Sequence, residues 1–123
     1  MQYSITIPGK PVPKGRPRFY RGRAITPQAT RDYEKRIADA WRKKYGATIL
    51  EGKLKMFVYA WSRTAGRADV DNYVKIAGDG LNAVAFPDDR NIWQIEGSKL
   101  VATSADTERL LIVLKQVVVL ESD

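Results

Sequence analysis

The sequence predicts an α/β (α+β) fold, a single domain over residues 1–123 with a mixed β-sheet and two principal helices. Three observations carry this. Four stretches alternate or run apolar at strand spacing, two others repeat apolar residues at helical spacing, and the two kinds are interleaved along the chain. A length of 123 residues suits one compact core, and 44% apolar composition excludes a disordered chain. There is no internal repeat, linker or low-complexity segment.

The elements follow in order. "YSITI" sets Tyr3, Ile5 and Ile7 against polar neighbours and reads as a strand stopped by Pro8 and Gly9. "KPVPKGRPRFYRGRAI" holds too many prolines and glycines for a helix; Arg21-Gly22 reads as the tip of a short hairpin with "RFY" and "AIT" as arms. Thr26-Pro27 reads as a helix start, with Thr26 as N-cap and Pro27 in the first helical position. Tyr33, Ile37, Ala40, Trp41 and Lys44 continue it at helical spacing, with the Tyr33–Trp41 stripe read as core rather than as a base-stacking platform, and Gly46 ends it. "KLKMFVYAWS" has apolar residues on both faces, as in a central strand. Val70, Val74, Ala77, Leu81 and Val84 mark a second helix, which Gly78 and Gly80 weaken. "IWQIEGSKLVAT" and "ERLLIVLKQVVVLE" complete the sheet, expected to be joined as a hairpin around Asp106.

Composition then excludes whole classes of chemistry. Without cysteine there is no disulfide, thiolate zinc site or cysteine nucleophile, and the chain suits a reducing cytoplasm. Without histidine there is no imidazole base and no Ser-His-Asp arrangement. A metal site must be built from oxygen, which selects Mg²⁺, with Mn²⁺ as substitute. No basic start leads into an apolar run and no stretch has transmembrane length, so neither a signal peptide nor a membrane partner is expected. The net charge of +7 is divided: residues 1–67 carry 16 Lys and Arg against 4 acids, and residues 68–123 carry 5 against 10. A basic first half points to a polyanion. Lys14, Arg16, Arg18, Arg21 and Arg23 lie in one acid-free stretch with Phe19 and Tyr20 interleaved, which makes them the candidate nucleic-acid contacts. A solvated loop with two tucked aromatics is the structural alternative.

The acids gather in "RADVDNYVK" and "FPDDR". Asp69 and Asp71 share a face only if the chain is extended there; Asp71 is then either the N-cap of the second helix or in its first turn. Lys75 follows one turn on, Asp79 one turn further, and Asp88-Asp89 fall in the loop after the helix. Two like charges ~4 Å apart repel by about 1 kcal/mol even in water. Such a cluster is either dispersed in solvent, as a cap, a helix pair and a turn, or built for a divalent cation. With a lysine on the same face and a basic arm elsewhere, it suits metal-assisted phosphodiester cleavage, in which Lys75 stabilises charge in the transition state or orients the water.

The run "ADVDNYVKIAGDGLNAVAFPDDRNI" resembles the RusA family of Holliday junction resolvases. Asp69, Asp71, Asn72 and Lys75 match the family's D-x-D-N-x-x-K pattern, and Phe86, Asp88 and Asp89 match its aromatic-x-D-D pair. The opening strand and basic loop and the closing apolar strand are similar in kind. The resemblance implies a dimeric, Mg²⁺-dependent endonuclease that nicks four-way DNA junctions symmetrically in recombination and repair, of bacterial or phage origin. It implies Asp69, Asp71 and Asp89 as metal-binding acids, with Lys75 as the catalytic lysine. The alternatives are a non-catalytic DNA-binding module and a restriction-enzyme-like nuclease using Asp88, Glu96 and Lys99. The E-x-x-K spacing sends Glu96 and Lys99 to opposite faces of a strand.

Overall fold

The computed structural model describes residues 1–64 and 68–117. Arg67, at the head of the first acidic run, and Val118, Val119 and Leu120, expected in the last strand, lie outside them. The described part of the chain forms six strands, β1 (Gln2–Pro8), β2 (Arg18–Tyr20), β3 (Arg23–Ile25), β4 (Leu54–Ser62), β5 (Ile92–Val101) and β6 (Arg109–Gln116). Two helices, α1 (Gln28–Tyr45) and α2 (Val70–Leu81), complete it. Four strands make a mixed sheet in the order β1-β6-β4-β5, and β2 pairs only with β3. The expected α+β domain is what is observed.

One face of the sheet is the core. Ile5 lies opposite Ile112, which lies opposite Val58; Ile7 is linked to Ala60 through Leu110 in the same way. All are buried, together with Tyr33, Ile37 and Trp41 of α1 and Tyr73, Ile76, Ala77 and Leu81 of α2. Both helices therefore cover this face. Tyr45 fastens α1 to the edge strand, its hydroxyl donating to the Ser4 carbonyl at 3.0 Å and accepting from the Ser4 amide at 2.8 Å. The other face carries Phe57, Tyr59 and Trp61, which are only half-buried. β4 is central in the sheet, as expected, but a helix layer covers only one of its two faces. Cations sit over two of those rings, Arg109 at 3.9 Å from the Trp61 centroid and Lys115 at 5.0 Å from that of Phe57.

Three expectations are corrected. β5 and β6 do not form a hairpin: β5 runs parallel to β4, and β6 lies on β4's other side, antiparallel. The apolar β4 takes two neighbours, while β5, largely exposed, suits the sheet edge. The N-cap of α1 is Pro27, not Thr26. Pro27 is extended, with ψ 146°, and its carbonyl accepts the first helical bond from the Arg31 amide at 3.1 Å. The buried stripe of α2 is Tyr73, Ile76, Ala77, Gly80 and Leu81, and the helix ends before Val84. Val70 and Val74 turn instead toward Gly97 of β5, where a Cβ would lie 2.6 Å from a Val74 methyl. Gly80, read as a weakness, has a packing reason: a Cβ there would come within 2.9 Å of Ile37, so glycine lets α2 lie close against α1.

This arrangement places the acids. β4 and β5 are parallel, so the chain must return the length of the sheet between them, and α2 is that return. After α2, Ala85 and Phe86 are fully buried, and the Ala85 carbonyl accepts from the Leu50 amide at 2.7 Å. That anchor sets Asp88-Asp89 at the entrance to β5.

Candidate active site

α2 begins with Asp69, extended at φ −69° and ψ 152°, as its N-cap; the carboxylate makes no capping hydrogen bond. Asp71 is in the first helical turn, the second of the two positions the sequence allowed, where the helix dipole favours negative charge. Asp71, Lys75 and Asp79 then stand one turn apart along one side of α2. They line an open cleft of about 490 Å³, together with Asp89. Its remaining wall is apolar, made by Met56, Val74, Gly78, Ile92 and Ile95.

Asp88 and Asp89 have separate duties. Asp88 caps the short 3-10 turn Asp89–Asn91, accepting from the Arg90 amide at 3.3 Å and pairing with the Arg90 side chain at 3.2 Å. Asp89 is exposed and faces the cleft. The carboxyl–carboxyl hydrogen bond between them holds Asp88 below the usual carboxylate range and pushes Asp89 above it; the nearby Asp79 adds to the rise. Asp89 therefore carries the cost of acids crowded together.

The expectation that Asp69, Asp71 and Asp89 meet is only partly matched. Among the described residues no three carboxylates stand close enough to hold one ion. Asp71 and Asp79 are separated by about 12 Å along a helix rising 1.5 Å per residue. Asp69 is not part of the cleft lining. The donor set nevertheless fits a hard cation: it is all oxygen, open to solvent and self-repelling. Lys75 is exposed in the midst of these acids, with no ion-pair partner among the described residues.

The basic stretch divides in two. Arg16, Arg18, Arg21 and Arg23 are exposed and have no ion-pair partner among the described residues. Lys14 is different: its ammonium lies 2.9 Å from Glu34 and 2.9 Å from Asp79, with only 20% of the side chain exposed. Burial draws its pKa down, but the hydrogen bonds to Asp79 and Glu34 outweigh that and raise it. Its amide also donates to the Asn72 carbonyl at 2.9 Å, and the next amide, of Gly15, donates to the Thr30 hydroxyl at 3.0 Å. Lys14 thus joins the arm to both helices and neutralises one acid of the cleft. Sequence spacing could not have shown this, because Lys14 and Asp79 meet only in the fold.

The restriction-enzyme-like arrangement is not assembled. Glu96 lies beside Phe57 on the outer face of β5, and Lys99 beside Ala60 on the other. The Lys99 ammonium donates to the Ala68 carbonyl at 2.8 Å, next to Asp69.

A family model described as "Endodeoxyribonuclease RusA" matches residues 8–112. No curated protein gives a significant match.

Proposed function

The chain belongs to the RusA family of Holliday junction resolving endonucleases, and from that premise we propose that it is a Mg²⁺-dependent endonuclease that resolves four-way DNA junctions by paired symmetric nicks. The observation that carries the reading is the cleft in which Asp71, Asp79 and Asp89 surround Lys75 inside the matched region.

Asp71 and Asp89, with Asp69, are the residues assigned to hold the metal. When bound, Mg²⁺ supplies an activated water and neutralises charge on the phosphoryl and leaving 3′ oxygens. The chain's own groups do the rest. Asp88 fixes the turn that presents Asp89. The N-terminal end of α2 favours negative charge where Asp71 stands, in the first turn. Lys75 sits one turn from both Asp71 and Asp79, where its ammonium can meet charge growing on the scissile phosphate. Arg16, Arg18, Arg21 and Arg23 attract the backbone and offset the repulsion between DNA and the acidic cleft.

The reading includes a homodimer. A four-way junction has approximate two-fold symmetry, and each protomer supplies one cleft, so paired nicks need two protomers related by the matching axis. Of the interface material in the last strand, β6 is a central strand within the protomer. The half-buried outer face around Phe57, Tyr59 and Trp61 is the better surface for a second copy. No helix among the described residues is long and apolar enough to cross a membrane. RusA proteins occur in phages and bacteria, and recombination and repair in a bacterial cytoplasm is the setting that fits.

The test is cleavage of a synthetic four-way junction with Mg²⁺, beside a linear duplex and a metal-free control. Symmetric nicks in the junction alone are expected. Binding without cleavage under every divalent ion would leave a DNA-binding module in its place.

A further inference from the structure

The β2–β3 ribbon stands apart from the rest of the molecule. Its two-residue turn has Arg21 at φ 49° and Gly22 at φ 77°, the left-handed pair of a type I′ hairpin. Every residue from Arg18 to Ile25 is exposed, and none joins the core. A two-stranded ribbon without core support is marginal in water, yet this one displays Phe19 at 80% exposure and Tyr20 at 61%. No carboxylate precedes Asp32 in the sequence, so the ribbon and its approaches carry positive charge only.

The register separates two faces. Phe19 lies opposite Ala24, while Arg18 lies opposite Ile25 and Tyr20 opposite Arg23. Strand alternation therefore puts Phe19 and Ala24 on one side, with Arg18, Tyr20, Arg23 and Ile25 on the other. The Arg21 guanidinium sits 5.4 Å from the Tyr20 ring centroid and occupies one side of that ring. Phe19 has only a methyl across from it, so its ring is open. An open aromatic ring on a cationic ribbon matches one chemistry: an unstacked nucleobase whose flanking phosphates are held by arginines.

We infer that Phe19 is a base-stacking residue, inserted where the DNA substrate presents an unstacked base, and that Arg18, Arg21 and Arg23 hold the adjoining phosphates. A four-way junction offers such bases at its branch point; a linear duplex does not. The inference rests on the junction-nuclease reading for its substrate. It goes beyond that reading by dividing binding into a charge contribution that all DNA shares and a stacking contribution that selects branched DNA.

The experiment is equilibrium binding without divalent cation, using a junction with a fluorescent purine analogue at the branch point and a matching linear duplex. Wild-type protein should brighten the analogue as the base leaves its stack. Phe19→Ala should weaken junction binding roughly ten- to hundred-fold, abolish the brightening, and leave duplex binding within about two-fold. Phe19→Trp should keep both, and Phe19→Leu, apolar but without a ring, should behave like Phe19→Ala. Replacing Arg18 and Arg23 with Gln should lower affinity for both DNAs and the salt slope, yet retain brightening at saturation. Equal binding and brightening by wild-type, Phe19→Ala and Phe19→Leu would overturn the inference. Cleavage is not read here, so the outcomes separate. Brightening that depends on Phe19 in a protein that never cuts supports the stacking role against the nuclease reading. Junction cutting with no role for Phe19 does the reverse.

Discussion

Replacing Lys14 by Met removes one charge and keeps most of the aliphatic stem. The ammonium lies 2.9 Å from each of two carboxylates, with Glu34 22% exposed and Asp79 41% exposed. At an effective dielectric of 20 each pair attracts by about 5–6 kcal/mol before desolvation is subtracted. The net value is far smaller. A charged hydrogen bond at a site as covered as Glu34 contributes about 1.5–2 kcal/mol. The more solvated Asp79 pair falls in the surface range of roughly 0.2–1 kcal/mol. Lys14→Met should therefore lose about 2–3 kcal/mol, read by denaturant unfolding, and lower Tm by roughly 8–12 °C for a domain of this size. Double-mutant cycles with Glu34→Gln and Asp79→Asn should show the larger coupling to Glu34. A second readout separates Lys14 from the arginines. Each lost phosphate contact flattens the plot of log K against log[salt] by about 0.9, and Lys14→Met should leave that slope unchanged because its charge is already matched within the protein. Stability within about 0.5 kcal/mol of wild type, together with a slope reduced by about 0.9, would refute the reasoning and return Lys14 to the DNA contacts.

Asp71→Asn keeps the shape of the first helical turn but loses the charge a cation needs; junction cleavage should disappear while metal-free junction binding is retained or tightens. Lys75→Ala should slow single-turnover cleavage by ~10²–10³ with the enzyme saturating, and a defect that vanishes at saturation would make Lys75 a phosphate-binding residue only. Glu108 is buried; the bond from the Arg63 amide at 3.0 Å, with the Arg63 and Ser62 side chains, outweighs burial and holds its carboxyl below the usual range. Its stabilisation is thus complete above the ordinary glutamate range near ~4.3 and is lost as pH falls through the lowered value. The Tm gap between wild type and Glu108→Gln should close in acid, and a gap independent of pH would contradict this. Among the described residues the buried Tyr33 hydroxyl makes no well-formed hydrogen bond, with only the Val12 backbone near it, and burial pushes its pKa up to about 12. Tyr33→Phe should therefore be neutral or stabilise by up to ~1 kcal/mol; a clear loss in denaturant unfolding would reveal a partner for that hydroxyl.

Local chemistry determined what could be read from the sequence alone. Pro8-Gly9, Arg21-Gly22 and Gly46 ended or turned their elements where expected, because backbone dihedral preferences act within a few residues. The oxygen-only donor set, the helix carrying Asp71 and Lys75, and the loop carrying Asp88-Asp89 were legible for the same reason. The placing of β5 beside β4 was not, since strand order depends on which strands compete for a central position. Nor was the rotation of α2, which is set by Gly80 against Ile37 and Gly97 against the valines, contacts between residues distant in sequence. That rotation is what lines up Asp71, Lys75 and Asp79 on the cleft. Periodicity assigns a helix an apolar side, but only packing decides how far that side is turned. The split between Asp88 as cap and Asp89 as cleft acid, and the removal of Lys14 from the exposed cations, also waited for the tertiary structure. Identical side chains in neighbouring positions differ only in what the fold brings against them.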